Sequence, residues 1–218
     1  MNIQNYLPTK KVSIKTALPK KYVVWHGSFS RTKYTPYGKL TPPVTAIINQ
    51  WAEGGEKQGA PYLIDRDGTI YKTYDDNDWT YHLRLPTTKG YYDKQSVPVM
   101  IANELHLIKE NGGYYALEYP HSTNSYLGPV VVKEWRGHSY WAKVEEAQID
   151  AALDITEDIC KRHGIDPVFY VGEKHDPKLW ERATIFTHAA VNNQVTDFPP
   201  FDESVIAKIK ARGLKTLS

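Results

Sequence analysis

Tyr22-Val-Val-Trp-His26 is a short run of β-branched and aromatic residues that reads as a core strand, and it stops abruptly in Gly27–Pro43, whose Gly, Ser, Thr and Pro content marks a loop. Beyond that loop Val44, Ile47, Ile48 and Trp51 recur at helical spacing. Thr41 offers an N-cap, Pro42 suits the first turn and Gly54-Gly55 halts the pattern, which predicts one amphipathic helix. The stretch 61–74, PYLIDRDGTIYKTY, then places two β-rich runs around Asp67-Gly68, a strong hairpin signal. Val97 to Ile108 reads as a single further strand, with Met100, Ala102, Glu104 and His106 on one face under period-two alternation. After a loop-rich stretch containing Gly112-Gly113 come a short strand at Val130–Val132, the segment WRGHSYW, and the longest helical pattern, Lys143 to His163, ended by Gly164. An apolar run at Ala183–Phe186 leads into His188, and Asp202 can cap a closing helix near Glu203–Arg212. Residues 1–20 are polar and proline-punctuated, an arm or lead-in strand before a domain spanning 21–218. The order of elements predicts a single α/β domain, a mixed central β-sheet with helices packed on its faces.

Composition removes several functional classes. Among 218 residues, 27 Lys and Arg against 25 Asp and Glu leave a net charge of +2 with both signs interleaved, so no basic stripe points to nucleic acid. No window approaches the ~20 apolar residues of a membrane span, and the N-terminus lacks the apolar core of a signal peptide. The chain is expected to be made soluble in the cytoplasm. At this length it can bury a core without disulfides or oligomerisation, and a monomer is expected. The lone Cys160 falls in an apolar-periodic segment and reads as a packing residue. Sixteen Tyr and six Trp suit half-wet positions such as carbohydrate-facing grooves as well as the core.

Eight histidines are present, but no HExxH, CxxC or P-loop pattern accompanies them. His106, His121, His138, His163 and His175 lie in turns, insertions or a helix end and read as structural or surface residues. Two others stand out by position. His26 ends the first core strand, and His188 follows the last apolar run, with Asp197 nine residues on in THAAVNNQVTDFPPF. Two imidazoles and one carboxylate suit a catalytic zinc, because three protein ligands leave a position for water. Packing and capping account for such residues equally well, and spacing does not choose.

YVVWH with its Thr- and Pro-containing loop, APYLIDRDGTIY, WTYHLR, MIANEL, the helix from EEAQIDA to ICKRHGI, and THAAVNNQVTDFPPF occur in the order found in zinc-dependent N-acetylmuramoyl-L-alanine amidases. The sequence resembles the phage-lysin and bacterial type of that family, related to peptidoglycan recognition proteins, over roughly residues 20–210. The resemblance implies one zinc held by His26, His188 and Asp197, Glu104 as the general base, and His82 as a substrate-side histidine. It implies peptidoglycan as the partner, met after release by lysis or a carrier machine, with Trp79, Tyr81, Tyr34 and Tyr37 near the groove. Glu104 also draws notice unaided, since an acidic side chain on an apolar strand is costly unless it serves a site or a buried partner. Val195 stands where many catalytic members carry a lysine, and Ala60 where some phage members have a tyrosine. A peptidoglycan-binding module with little or no turnover is therefore the alternative to an enzyme, and the absence of HExxH discourages a zinc peptidase of another kind.

Overall fold

A computed structural model describes residues 1–8, 10–16, 18–29, 44–53, 59–116, 125–198 and 201–218. In chain order the elements are β1 (Ile3–Asn5), β2 (Tyr22–Phe29), α1 (Val44–Glu53), β3 (Tyr62–Ile64), β4 (Ile70–Lys72), α2 (Tyr91–Gln95), β5 (Ser96–Asn103), β6 (His106–Glu110), β7 (Gly113–Ala116), β8 (Ser125–Tyr126), β9 (Val130–Trp135), β10 (His138–Ala142), α3 (Glu146–His163), β11 (Val168–Tyr170), β12 (Ile185–Thr187), α4 (His188–Val191), α5 (Glu203–Ala211) and β13 (Lys215–Leu217). Eight strands form one mixed sheet in the order β1-β4-β3-β5-β2-β12-β11-β13. From β3 to β13 every pairing is parallel; β4 turns back on β3 as the Asp67-Gly68 hairpin, and β1 follows β4. No helix among the described residues is long and apolar enough to cross a membrane.

The predicted α/β architecture is the one observed. Val23, Trp25, Val97, Val99 and Ile101 face α3 and α5 in the largest core cluster, while Val24 and Ala102 point to the opposite side. Trp25 is fully buried and donates its indole N–H to Thr156 Oγ1 at 2.9 Å, so its polar atom is satisfied inside the core. Helix α3 starts where the Glu145 backbone N–H donates to the Gln148 side chain, and it ends at Gly164 in the left-handed conformation. Asp202 caps α5 by accepting the Val205 N–H at 3.0 Å. The N-cap proposed at Thr41 and Pro42, the Gly54-Gly55 stop, His121, Tyr34 and Tyr37 lie outside the described residues.

One expectation is overturned. The single strand over Val97–Ile108 is two, β5 and β6, in different sheets. Leu105 sits at φ +62°, and its N–H is taken by Asn103 Oδ1 at 2.7 Å, which bends the chain out of the main sheet. Met100, Ala102, Glu104 and His106 therefore do not share a face. After the bend, β6 opens an antiparallel second sheet in the order β8-β7-β6-β10-β9, with Leu107, Ala116, Tyr126 and Ala142 as its own small core.

In that second sheet the rings of His106 and His138 stack at 4.0 Å on neighbouring strands. Burial and the neighbouring His138 push the His106 pKa down to about 4 from its ordinary 6.5. The unfolded chain thus takes up a proton at higher pH than the folded one, so this pair's contribution is present above pH 6.5 and lost as pH falls toward 4. His106→Phe keeps a stacked ring but has no proton to gain. Urea midpoints at pH 7 and 4.5 should fall further on acidification for the wild type than for this variant, and equal falls would remove the stacked pair from the acid response.

Candidate metal centre

Parallel register does most of the assembly. Trp25 on β2 pairs with Thr187 on β12, which brings the next residues side by side: His188 directly follows β12, whereas His26 lies inside β2, which runs on to Phe29 past the strand end expected at His26. Their rings lie 4.5 Å apart. Asp197 reaches the same point because residue 27 is glycine: a Cβ there would sit 1.7 Å from the Asp197 carbonyl oxygen. His26, His188 and Asp197 form the one cluster of potential metal ligands among the described residues, their donor atoms all within 4.8 Å of one another.

The hydrogen bonds fix which nitrogen of each ring faces inward. His188 Nε2 lies 2.7 Å from the Leu83 carbonyl, which can only accept, so Nε2 carries the proton and Nδ1 is left as an acceptor in the neutral ring. Ser96 gives its hydroxyl hydrogen to the Tyr92 carbonyl at 2.7 Å, and its oxygen is 2.8 Å from His82 Nε2, which must therefore donate. His82 Nδ1 then accepts, at 2.9 Å, from His26 Nε2, and His26 Nδ1 is also left with a lone pair. Both Nδ1 atoms point at the same oxygen, Asp197 Oδ2, at 3.0 Å from His26 and 2.7 Å from His188. The other carboxylate oxygen, Oδ1, is buried without a hydrogen-bond partner among the described residues.

Three acceptors facing one another require a cation between them. A proton is one solution: burial works against a charged His188, but the Asp197 carboxylate outweighs it and raises the pKa. Asp197 itself is held well below the ordinary carboxylate range, its desolvation more than offset by the two imidazoles. His26 is lowered, chiefly by burial and then by His188. His82 is pushed far down by burial and by His26, in keeping with its role as an acceptor. A metal ion is the other solution, and the residues fit it. Two Nδ1 donors and a carboxylate are a zinc-type set, with each imidazole's second nitrogen tied to an outer partner as metal-bound histidines usually are.

The residues expected around the centre have partners of their own. Glu104 is fully buried and ion-paired with Arg66, which also donates to the Lys143 carbonyl at 3.2 Å and lies beside Glu145. His82 is buried behind His26 with both ring nitrogens engaged, Nδ1 by His26 and Nε2 by Ser96. Trp79 is buried against Tyr81 and Gly90, with the Lys94 ammonium 5.2 Å from its ring centre. Tyr81 is 49% exposed and lines an open concavity of about 320 Å³ with Arg84, Leu85, Pro86 and Lys89. Sequence reasoning missed Ser96, Leu83 and Asp93, whose carboxylate accepts the His82 and Leu83 backbone N–H groups at 2.8 and 2.9 Å. The WTYHLR segment flagged their neighbourhood, yet backbone acceptors leave no mark on a sequence.

A mixed sheet that gathers two imidazoles and a carboxylate carries the donor set found in metal-dependent hydrolases. The N-acetylmuramoyl-L-alanine amidase family profile matches residues 16–197, and the chain belongs to that family. Comparison with curated protein sequences finds no match. Among solved structures, the endolysin N-acetylmuramoyl-L-alanine amidase LysCS from Clostridium intestinale is similar at 14% identity and a TM-score of 0.51, over 96% of this chain and 95% of that one. Drosophila PGRP-LB gives 14% identity and 0.51, over 96% and 93%. The ectodomain complex of peptidoglycan recognition proteins LCa and LCx, solved with tracheal cytotoxin, gives 13% and 0.51, over 96% and 95%. At these identities the likeness establishes the fold.

Glu104→Gln should lower stability by about 1.5–3 kcal/mol, the worth of a hydrogen bond to a charged group, and leave metal affinity unchanged. Denaturant unfolding and metal titration of the same variant check this, and unchanged stability would remove the Arg66 ion pair from the forces that hold the fold.

Proposed function

We propose that this chain is a zinc-dependent hydrolase that cleaves the amide bond between the lactyl group of N-acetylmuramic acid and L-alanine in peptidoglycan. His26 and His188 would hold the metal through Nδ1 and Asp197 through its carboxylate. The observation that carries this reading is the set of three acceptors converging on one point, each imidazole oriented by a partner on its far nitrogen. When bound, zinc supplies Lewis acidity toward a carbonyl and lowers the pKa of a water toward about 7. The chain's own residues provide orientation: His82 and Ser96 fix the His26 tautomer, while the Leu83 carbonyl fixes that of His188. Tyr81, Arg84 and Lys89, in the concavity beside this segment, suit an acidic stem peptide next to a sugar. A wall lysin of phage type, reaching its substrate after lysis or through a carrier machine, is the biological setting we infer, in line with the endolysin among the structural relatives.

The binding-module reading is favoured by one observation. Glu104, the residue expected to act as base, is ion-paired with Arg66 in this structure.

Purified sacculi separate the two readings. An amidase frees amino groups and leaves peptides that begin with L-alanine, in protein carrying about one zinc per chain; Asp197→Ala should lose most of the zinc and the activity together. Tight binding to sacculi with no released amines would establish the binding module instead.

A further inference from the structure

The second sheet reaches back to the metal centre through a single side chain. Hairpin β9–β10 closes through Arg136 at φ +50° and Gly137 at φ +80°, between the paired residues Trp135 and His138. Both central residues of so tight a turn need positive φ, a conformation that suits Asn, Asp or Gly and costs an arginine. The strained arginine makes contacts that turn chemistry does not demand. Its Nη2 donates to the Ala189 carbonyl at 2.6 Å, and its Nη1 to the carbonyls of Asn192, at 3.0 Å, and Val195.

These acceptors lie on the segment that runs from His188 to Asp197. Helix α4 is a single turn, so its carbonyls have to find partners elsewhere. His188 O takes the Asn192 N–H, Ala190 O takes the Asp176 N–H, and Ala189 O is left to Arg136. The base of the hairpin is anchored as well. The guanidinium stacks 4.7 Å from the Trp135 ring centre, Trp135 donates to the Glu173 carbonyl at 3.0 Å, and Lys133 pairs with the Glu173 carboxylate.

We propose that Arg136 is a positioning residue for the metal centre: the hairpin of the second sheet buckles the loop between His188 and Asp197 through three backbone carbonyls and thereby sets the place of the third ligand. The inference rests on the zinc reading of that centre. The planar fork matters, because one guanidinium presents five donors in fixed directions whereas an ammonium cannot span the same carbonyls.

The test compares wild type, Arg136→Ala and Arg136→Lys. Zinc affinity is measured by competition with a chelator, and hydrogen exchange is followed in the metal-free proteins. Arg136→Ala should bind zinc 10–100-fold more weakly, the usual cost of losing an outer partner of a metal site. Amides of 188–197 should exchange faster while those of α3 keep wild-type protection. Arg136→Lys should fall between the two, and it carries the comparison if the alanine variant also loses α3 protection. Wild-type zinc affinity together with wild-type exchange of 188–197 in both variants overturns the proposal. If the wild type binds no zinc, the metal reading fails by itself, and exchange in the metal-free proteins alone decides whether the buckle exists.

Discussion

Two imidazoles buried side by side over one carboxylate oxygen form the constraint around which this structure is organised. Neither ring can turn away, since the far nitrogen of one is held by the Leu83 carbonyl and that of the other by His82. The meeting point is set by the parallel register of β2 against β12, and a one-residue slip would send one histidine to the opposite face. Register here is pinned by burial, because Val23 and Trp25 must face α3 while Val24 faces the other core. The same alternation that buries Trp25 presents His26.

Around that point the chain gathers support from segments remote in sequence. Asp93 holds the backbone of His82 and Leu83, and Lys20 donates to the carbonyls of Asp78, Lys94 and Ser96, closing the segment that carries the outer partners. Burial lowers the Lys20 pKa to about 8 against the pull of Asp76, Asp78 and Asp75, so a charged amine is kept in a poorly solvated place by backbone dipoles and nearby carboxylates. Each of these contacts spends a polar group on geometry rather than on chemistry.

The parts of the fold that the sequence reveals are those governed by local rules. The strand at Tyr22–His26, which the structure extends to Phe29, the Asp67-Gly68 hairpin, the α3 pattern with its Gly164 stop and the Asp202 cap are each decided within a few residues, and each forms. The break at Glu104–Leu105 was not visible, because it depends on a left-handed leucine and on a buried arginine that arrives from β3's hairpin. Strands β11 and β13 are three residues long and carry no alternation long enough to register. The cluster itself was legible as residues at the ends of apolar runs, whereas the fates of Glu104, His82 and Trp79 were not. What decided them was which partner waited across the core: Arg66 for the first, His26 and Ser96 for the second, and Tyr81 with Gly90 for the third.

The hydrogen-bond directions also bear on how the centre would take up a cation. The Asp197 carboxylate raises the His188 pKa against its burial, while burial and then His188 lower that of His26. A metal ion held through His188 Nδ1 would need that nitrogen deprotonated, so its affinity would rise with pH through the His188 titration. The rings need not rotate on uptake, because Leu83 and the His82–Ser96 pair already present Nδ1 to the centre. Preorganisation of this kind costs the fold a buried, conflicted cluster and gives the incoming cation a site whose tautomers are already correct.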